Sequence, residues 1–538
     1  MLKKSRYNYI KGHFGKPMES KLTYEEYAAI SHYDLNTQNP DQFRVDDTTW
    51  NDLDLDSVFL LINHTYSAVG RDYLYHLLRH PVSDERELAE RERLITFFDE
   101  HQEERTHLQQ IFDEIGFTRK ISVSDHMERL FSLKKAGNMI HFSAIFLILF
   151  SVLFMIFVDP VWGIIMLLCA CGFSIVSYYR IKNSIDSFFT CIRQLVNMLV
   201  ASKRISDMKL EALSEYTQRL DRAYKTFGNV RRGAWLLTGK NEHGGSLADI
   251  FMEYIRMFTH IDLIKFNSML GNIGGHKEDV FELMDTLGYL EAMISIASFR
   301  HVLPYYCLPE FEEKASGGML LNNGYHILIE KPVANSIQED RPVLITGSNA
   351  SGKSTFLKSV AISAILAQTI HTVPADVYRA PFYRIYSSMA LSDHLDSGES
   401  YYIVEIKSLK RIIDAVNAPG ARVLCFIDEV LRGTNTVERI AASSEILRDL
   451  ASHNAMCFAA THDIELTQML ENYYSDYHFT EEFTDRNIVF PYVIQKGRAT
   501  SKNAIRLLEV MGYEEAVIRQ SQETADEFTR TGTWRVCP

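Results

Sequence analysis

Residues 343–355, Val-Leu-Ile-Thr-Gly-Ser-Asn-Ala-Ser-Gly-Lys-Ser-Thr, read as a strand, a glycine-bearing turn and the start of a helix. That is the context in which the spacing G-x-x-x-x-G-K-[ST] binds phosphate. Gly347 and Gly352 permit a loop through Ser348, Asn349, Ala350 and Ser351 whose backbone N–H groups converge on phosphate oxygens, and the following helix turns its positive N-terminal end to the same charge. Lys353 is expected as a point charge on the β and γ phosphates and Ser354 as a hydroxyl ligand to Mg²⁺, with Thr355 closing the nucleotide-binding set. The competing reading, an ordinary glycine turn, needs the flanking strand and helix to be coincidental.

Downstream, Arg422-Val-Leu-Cys-Phe-Ile427-Asp428-Glu429 is an apolar strand ending in adjacent carboxylates. Asp428 is the expected metal-side acid and Glu429 the expected general base on a water in line with the γ phosphorus. Such strand ends are common as solvated termini, so the pair draws its weight from the phosphate loop. A third predicted strand runs into Thr461-His462, where an imidazole suits a hydrogen bond to the γ phosphate. A lone histidine is commonly structural; its place at the end of that strand favours the functional reading.

The elements that position these groups follow from texture. From about Gly318 onwards short β-rich runs, among them Pro342 to Thr346, Arg422 to Ile427 and Met456 to Ala460, alternate with helices in the manner of a parallel α/β sheet. Upstream the chain reads as mostly helical, with glycine-rich breaks near Gly239 to Gly245 and Gly271 to Gly275. Between them and the N-terminal part lie two apolar runs, Ile140 to Val158 and Val161 to Tyr179, flanking Asp159-Pro160. Each is near the length that crosses a hydrocarbon core, and Lys134, Lys135, Arg180 and Lys182 place both flanks in the cytoplasm. A transmembrane helical hairpin is the expected reading; a buried helical pair in a soluble core and a shallow re-entrant hairpin are the alternatives.

With 46% hydrophobic and 23% charged residues over 538 positions, the composition is that of a packed, multidomain chain. A net charge of -13 supplies no global field for a polyanion, so any nucleic-acid contact must be local. The cysteines form no Cys-x-x-Cys pair, which argues against a zinc site and for a reducing compartment. No apolar run follows the N-terminal residues, so a cleaved secretory signal is not expected. Lys3, Lys4, Arg6, Lys11 and Lys16, interleaved with Tyr7, Tyr9 and Phe14, suit a solvated tail or a membrane-surface contact better than a nucleic-acid arm.

The phosphate loop, the stretch Asp428-Glu429-Val-Leu-Arg-Gly433-Thr434-Asn435-Thr436 and Ala459-Ala-Thr461-His462-Asp-Ile-Glu465-Leu together resemble the ATPase domain of MutS proteins in order and spacing. Asp396-Ser397-Gly398-Glu399-Ser400 looks like the family's signature loop, which in related ABC-type ATPases completes the neighbouring subunit's site; the alternative is a simple Ser-Gly helix cap. Asn63-His-Thr-Tyr-Ser-Ala-Val-Gly70-Arg71 with Leu77-Leu-Arg-His-Pro81 resembles the start of the MutS core, and Lys496 to Leu508 with Gly512 to Arg519 the helical segment that closes the family's dimer. The resemblance implies ATP and Mg²⁺ as cofactors, hydrolysis by Glu429 and His462, a trans contact through Ser397, Gly398 and Ser400, and a homodimer.

The expected fold is therefore multidomain, α and α/β. It comprises a 1–44 tail, the first part of a MutS-like helical core at 45–135, a transmembrane hairpin at 136–182, a helical core and lever region at 183–310, an ABC-type P-loop ATPase domain at 311–498 and C-terminal dimerisation helices at 499–538. The sequence departs from the family where the core-like segment begins near residue 45, so mismatch-recognition and connector domains are not expected ahead of it. The hairpin interrupts the helical middle. Ser348, Ala350 and Ser351 stand where Pro, Met and Gly are usual, Leu431 replaces a Gly, and Glu399 replaces a basic residue. The expected function is an ATP-driven conformational switch tied to a membrane through residues 140–179, in a bacterial inner membrane with the ATPase part cytoplasmic. Mismatched or structured DNA is one expected partner; the alternative is a scaffold or remodelling ATPase that binds no nucleic acid.

Overall fold

The computed structural model describes residues 2–18, 22–37, 41–118, 122–133, 137–232, 247–312, 318–348, 350–389, 401–431, 434–453, 455–483, 488–499, 504–534 and 536. The helices among them run α1 Leu2–His13, α2 Tyr24–Asn36, α3 Asp47–Asp52, α4 Leu55–Ile62, α5 Ala68–Arg79, α6 Glu85–Glu100, α7 Gln102–Ile115, α8 Val123–Ser132, α9 Met139–Phe157 and α10 Pro160–Asp207. They continue as α11 Ser214–Thr226, α12 Gly228–Arg231, α13 Leu247–Thr259, α14 Ile261–Ile273, α15 Lys277–Arg300, α16 Lys353–Ile370, α17 Tyr401–Asn417, α18 Thr436–Ser452, α19 Glu465–Met469, α20 Ala504–Val510 and α21 Glu515–Thr531. Two compact units result. One comprises Met1–Pro40, Ile62–Leu77 and Glu92–Val302; the other comprises Asp41–Leu61, Leu78–Arg91 and Leu303–Pro538.

The first unit is helical and centred on α15, which is buried along almost its whole length from Val280 to Arg300. Two glycines let α5 approach it. A Cβ at Gly288 would lie 2.7 Å from the Val69 carbonyl, and one at Gly70 would lie 2.0 Å from Glu291 Oε2. The fully buried Glu291 carboxylate accepts hydrogen bonds from the backbone N–H groups of Tyr66 and Ser67, at 2.5 and 3.1 Å, and from the Ser67 hydroxyl. It thereby answers the open donors at the start of α5. Burial pushes its ionisation up to about 7.

Among the described residues two helices are long and apolar enough to cross a membrane, α9 and the first part of α10. Asp159 caps α10 by accepting from Val161 N and Trp162 N at 2.8 and 3.0 Å, and Pro160 supplies the preset φ of a first helical turn. Gly163 brings the pair together: a Cβ there would sit 2.3 Å from Met155 Cα. Ala144, Ser151, Ala170 and Ser174 are buried, while Phe146, Leu149, Leu153, Trp162, Leu168 and Val176 are exposed. Only 17% and 28% of the two most apolar stretches are buried, which disfavours a helical pair inside a soluble core. Beyond Tyr179 α10 continues without a break for about 72 Å in all, since no Gly or Pro interrupts Arg180 to Asp207.

The second unit holds a six-stranded sheet in the order β12-β9-β4-β8-β7-β6. Its strands are β4 Val343–Thr346, β6 Tyr383–Ser388, β7 Arg422–Asp428, β8 Ala455–Thr461, β9 Ser475–Phe479 and β12 Ile494–Lys496. All pairings are parallel except β12 on β9. Strands β4, β7 and β8 are almost wholly buried, as continuous apolar runs covered on both faces should be. Helix α16 is apolar all round and correspondingly buried from Phe356 to Ile370. A second sheet, β1-β5-β2-β3, uses β1 Glu310–Phe311, β2 Met319–Gly324, β3 Asn335–Glu339 and β5 Val377–Ala380; β10 Glu482–Phe483 pairs with β11 Ile488–Val489. Residues of α3 belong to this unit: Thr49 Oγ1 accepts from Ser387 N at 3.0 Å, and buried Asp52 accepts from Ser387 Oγ and Met389 N at 2.7 and 2.9 Å, holding the end of β6.

Candidate functional site

Strand β4 delivers the chain into a turn whose backbone needs glycine at both ends. Gly347 has φ +148° and Gly352 +105°, values L side chains rarely adopt, and a Cβ at Gly352 would stand 3.1 Å from Tyr492 Cδ1. Asn349 lies outside the described residues. Lys353 opens α16 almost fully buried, its Nζ donating to the carbonyls of Gly347 and Ser348 at 2.8 Å each. The hydroxyls of Ser348 and Ser351, two of the positions that depart from the family pattern, are buried without a hydrogen-bond partner among the described residues. Two orphaned hydroxyls in a glycine-bounded turn fit a phosphate cradle.

The acid pair stands at the end of β7, with β8 between it and β4. Ser354 Oγ donates to Asp428 Oδ2 at 2.5 Å, which joins the first turn of α16 to the end of β7 and sets a hydroxyl beside a carboxylate as an Mg²⁺ site requires. Glu429 holds a left-handed φ of +63°, its N–H donating to the Ala460 carbonyl at 2.9 Å. Its carboxylate lies 2.8 Å from His462 Nε2, and His462 Nε2 is 3.4 Å from Lys353 Nζ. Leu431, found where the resemblance leads one to expect Gly, also has positive φ, +59°, so the backbone keeps a glycine-like conformation without the glycine.

Lys353, Ser354, Asp428 and Glu429 line one cavity of about 480 Å³, which His462 meets through Glu429. One part of its wall is made by Ser348, Ser351, Gly352, Lys353, Ser354, Thr355, Asp428 and Glu429, and the rest includes His326, Ile329, Lys331, Pro332, Val333 and Tyr492. That second part has no motif, and sequence reasoning did not find it. Asn335 holds it together, donating to the Tyr492 carbonyl at 3.0 Å and accepting from Ile494 N at 2.8 Å. Burial, and secondarily the charge of Lys358, brings the His326 imidazolium down to about 4, so a neutral ring faces the cavity at pH 7. Sequence reasoning also missed Arg439 and Asp463, whose bidentate pair at 3.0 and 2.6 Å anchors the turn carrying His462. Ser397, Gly398 and Ser400 lie outside the described residues, so their relation to the cavity is not part of this geometry; α17 begins at Tyr401.

A parallel sheet whose central strand enters a glycine-bounded turn and a buried-lysine helix start, with acids at the end of the strand two places along, has the arrangement of a phosphate-loop α/β unit. Residues 343–529 match the family model for MutS domain V. The chain is 28% identical over 316 residues to human MutS protein homolog 4, covering 54% of this chain and 33% of that one. It is 30% identical over 260 residues to DNA mismatch repair protein MutS of Pseudothermotoga lettingae, covering 46% and 31%, and 27% identical over 279 residues to that of Thermotoga maritima, covering 50% and 34%. The chain thus spans about a third of the length of these relatives. It is similar to MutS proteins, and the family-model match lies in its C-terminal part.

Proposed function

We propose that this chain is a membrane-anchored MutS-type ATPase that binds and hydrolyses ATP to drive a conformational switch. The observation that carries the reading is the convergence of Lys353, the Ser354–Asp428 pair and Glu429 on one cavity beneath a glycine-bounded turn, with His462 held against Glu429. Lys353 Nζ leaves the loop carbonyls for β and γ phosphate oxygens, a point-charge contact that the buried site strengthens. The hydroxyls of Ser348 and Ser351 add donors to the same oxygens. Ser354 and Asp428 hold Mg²⁺, which when bound neutralises phosphate charge. Glu429 takes the proton of the attacking water, and His462, now on that carboxylate, turns to the γ phosphate when nucleotide arrives.

The proposed assembly is a homodimer with composite sites, the loop of Ser397, Gly398 and Ser400 acting in trans. The exposed C-terminal helices support it: α21 has no buried residue, and Met511, Tyr513 and Val517 are exposed apolar side chains. The apolar exterior of α9 and α10 supports the membrane anchor, with the ATPase part cytoplasmic and a bacterial inner membrane as the site. Sedimentation of the detergent-solubilised Glu429→Gln variant tests the dimer. ATP should raise its mass to that of two copies, and an unchanged monomer at saturating ATP removes the composite site. DNA as partner is suggested by the bacterial relatives, which are DNA mismatch repair proteins by name. Binding to branched or mismatched duplex that weakens steeply with salt supports it, and no binding at low salt leaves the scaffold reading.

A further inference from the structure

We propose that α13 is an interfacial membrane helix, seated beside the cytoplasmic base of the α9–α10 hairpin so that Ile250, Phe251 and Tyr254 face the acyl-chain and headgroup boundary of the bilayer. This rests on the membrane reading of the hairpin and extends it to a helix of 13 residues that is too short to span. Ile250, Phe251 and Tyr254 are 51%, 66% and 54% exposed. At 100° per residue they fall with Phe258 on one side of α13, while Glu253 and Arg256 fall on the other. A helix of a water-soluble unit presents the opposite arrangement.

The attachment of α13 fixes both its rotation and its depth. Ser174 Oγ, on α10, donates to the Met257 carbonyl at 3.0 Å and lies 3.1 Å from His260 Nε2, while His260 Nδ1 and His141 Nδ1 of α9 share a hydrogen bond at 2.9 Å. His260, at φ +50°, ends α13 there and turns the chain into α14. Ser174 stands about 21 Å along α10 from Pro160 and His141 about 24 Å along α9 from Phe157, at 1.5 Å per residue. With the Asp159 tip at the far boundary of a hydrocarbon core about 30 Å thick, the junction lies several ångströms inside the near boundary. The outward side of a helix fastened at that depth meets lipid. Two further features favour lipid over a second copy. Exposed apolar residues surround α9 and α10 rather than forming the single stripe a helical partner would cover. Exposed aromatics also mark both boundaries, Trp162 at the tip and Tyr179 and Tyr254 at the base, as interfacial aromatics do.

The test places an environment-sensitive fluorescent amino acid at position 149, 251 or 253 of the full-length chain, reconstituted in phosphatidylcholine–phosphatidylglycerol vesicles. Lipid-borne doxyl groups and aqueous iodide serve as quenchers. The expected result is lipid quenching and blue-shifted emission at 251, as at 149, with iodide quenching at 253. Iodide quenching at 251 with lipid quenching at 149 overturns the inference and leaves the hairpin intact. Iodide quenching at both overturns the inference and the hairpin together. Shielding of 251 from both quenchers marks a protein partner and also overturns it.

Discussion

Replacing Gly352 with Ala asks whether the turn's conformation, rather than its composition, makes the phosphate site. The residue has φ +105°, and a Cβ would meet Tyr492 Cδ1 at 3.1 Å. A left-handed backbone costs an L residue roughly 1–2 kcal/mol, and a contact tighter than ordinary van der Waals separation adds to it, for about 2–3 kcal/mol in all. The variant turn relaxes to negative φ, where its N–H groups no longer converge, and must recover the strained form to hold phosphate. Its ATP affinity should therefore fall by about 30- to 140-fold at about 1.4 kcal/mol per tenfold. The comparator is Gly497→Ala, with φ +108° but open space around its Cβ, which should lower stability while leaving ATP affinity unchanged. Titration calorimetry with Mg²⁺ and a non-hydrolysable ATP analogue gives both values. Wild-type affinity in Gly352→Ala, or equal losses in the two variants, would refute the reasoning.

Glu429→Gln should keep ATP affinity within a few-fold and lower turnover by about 10²–10⁴-fold, read by phosphate release; undiminished turnover removes Glu429 as the base. Glu291 is pushed up to about 7 from 4.5, so the unfolded chain loses its proton first and stability falls as pH rises from about 4.5 to about 7, staying level above. Over that window the cost is about 3 kcal/mol, and Glu291→Gln, which can still accept from Tyr66 and Ser67, should flatten the pH profile of thermal unfolding. Parallel profiles for the two proteins would sink this account. Gly163→Leu should split the apolar hairpin, because its Cβ meets Met155 Cα at 2.3 Å, whereas Gly172→Leu, with nothing within 4 Å, should not. Equal detergent-phase melting temperatures for the two leucine variants would contradict the packing.

Strands carried by uninterrupted apolar runs are legible in the sequence. Pro342 to Thr346, Arg422 to Ile427 and Met456 to Ala460 appear within a residue or so as β4, β7 and β8. The turn from 347 to 352 and the helix after it are legible because glycine spacing and a lysine at a helix start constrain the backbone locally. The rest of the cavity wall is not. His326 and Lys331 lie far in sequence from Tyr492 and are brought to it by Asn335 and the pairing of β12 on β9. Arg439 with Asp463, and Glu291 beneath Ser67, are likewise products of tertiary approach, each an ordinary charged residue on its helix or turn until its partner is known. The orientation of α13 is hidden for a related reason. Its apolar face is visible in the sequence, but which way that face points depends on Ser174 and His141.

The central claim, ATP chemistry at this cavity, is tested most directly by Mg²⁺-dependent ATP hydrolysis of the purified full-length chain beside Lys353→Ala. The account predicts steady phosphate release by the unmodified chain that stops on chelating Mg²⁺, and neither release nor nucleotide binding by the variant. Hydrolysis by Lys353→Ala at the unmodified rate, or no nucleotide binding by the unmodified chain, would contradict it.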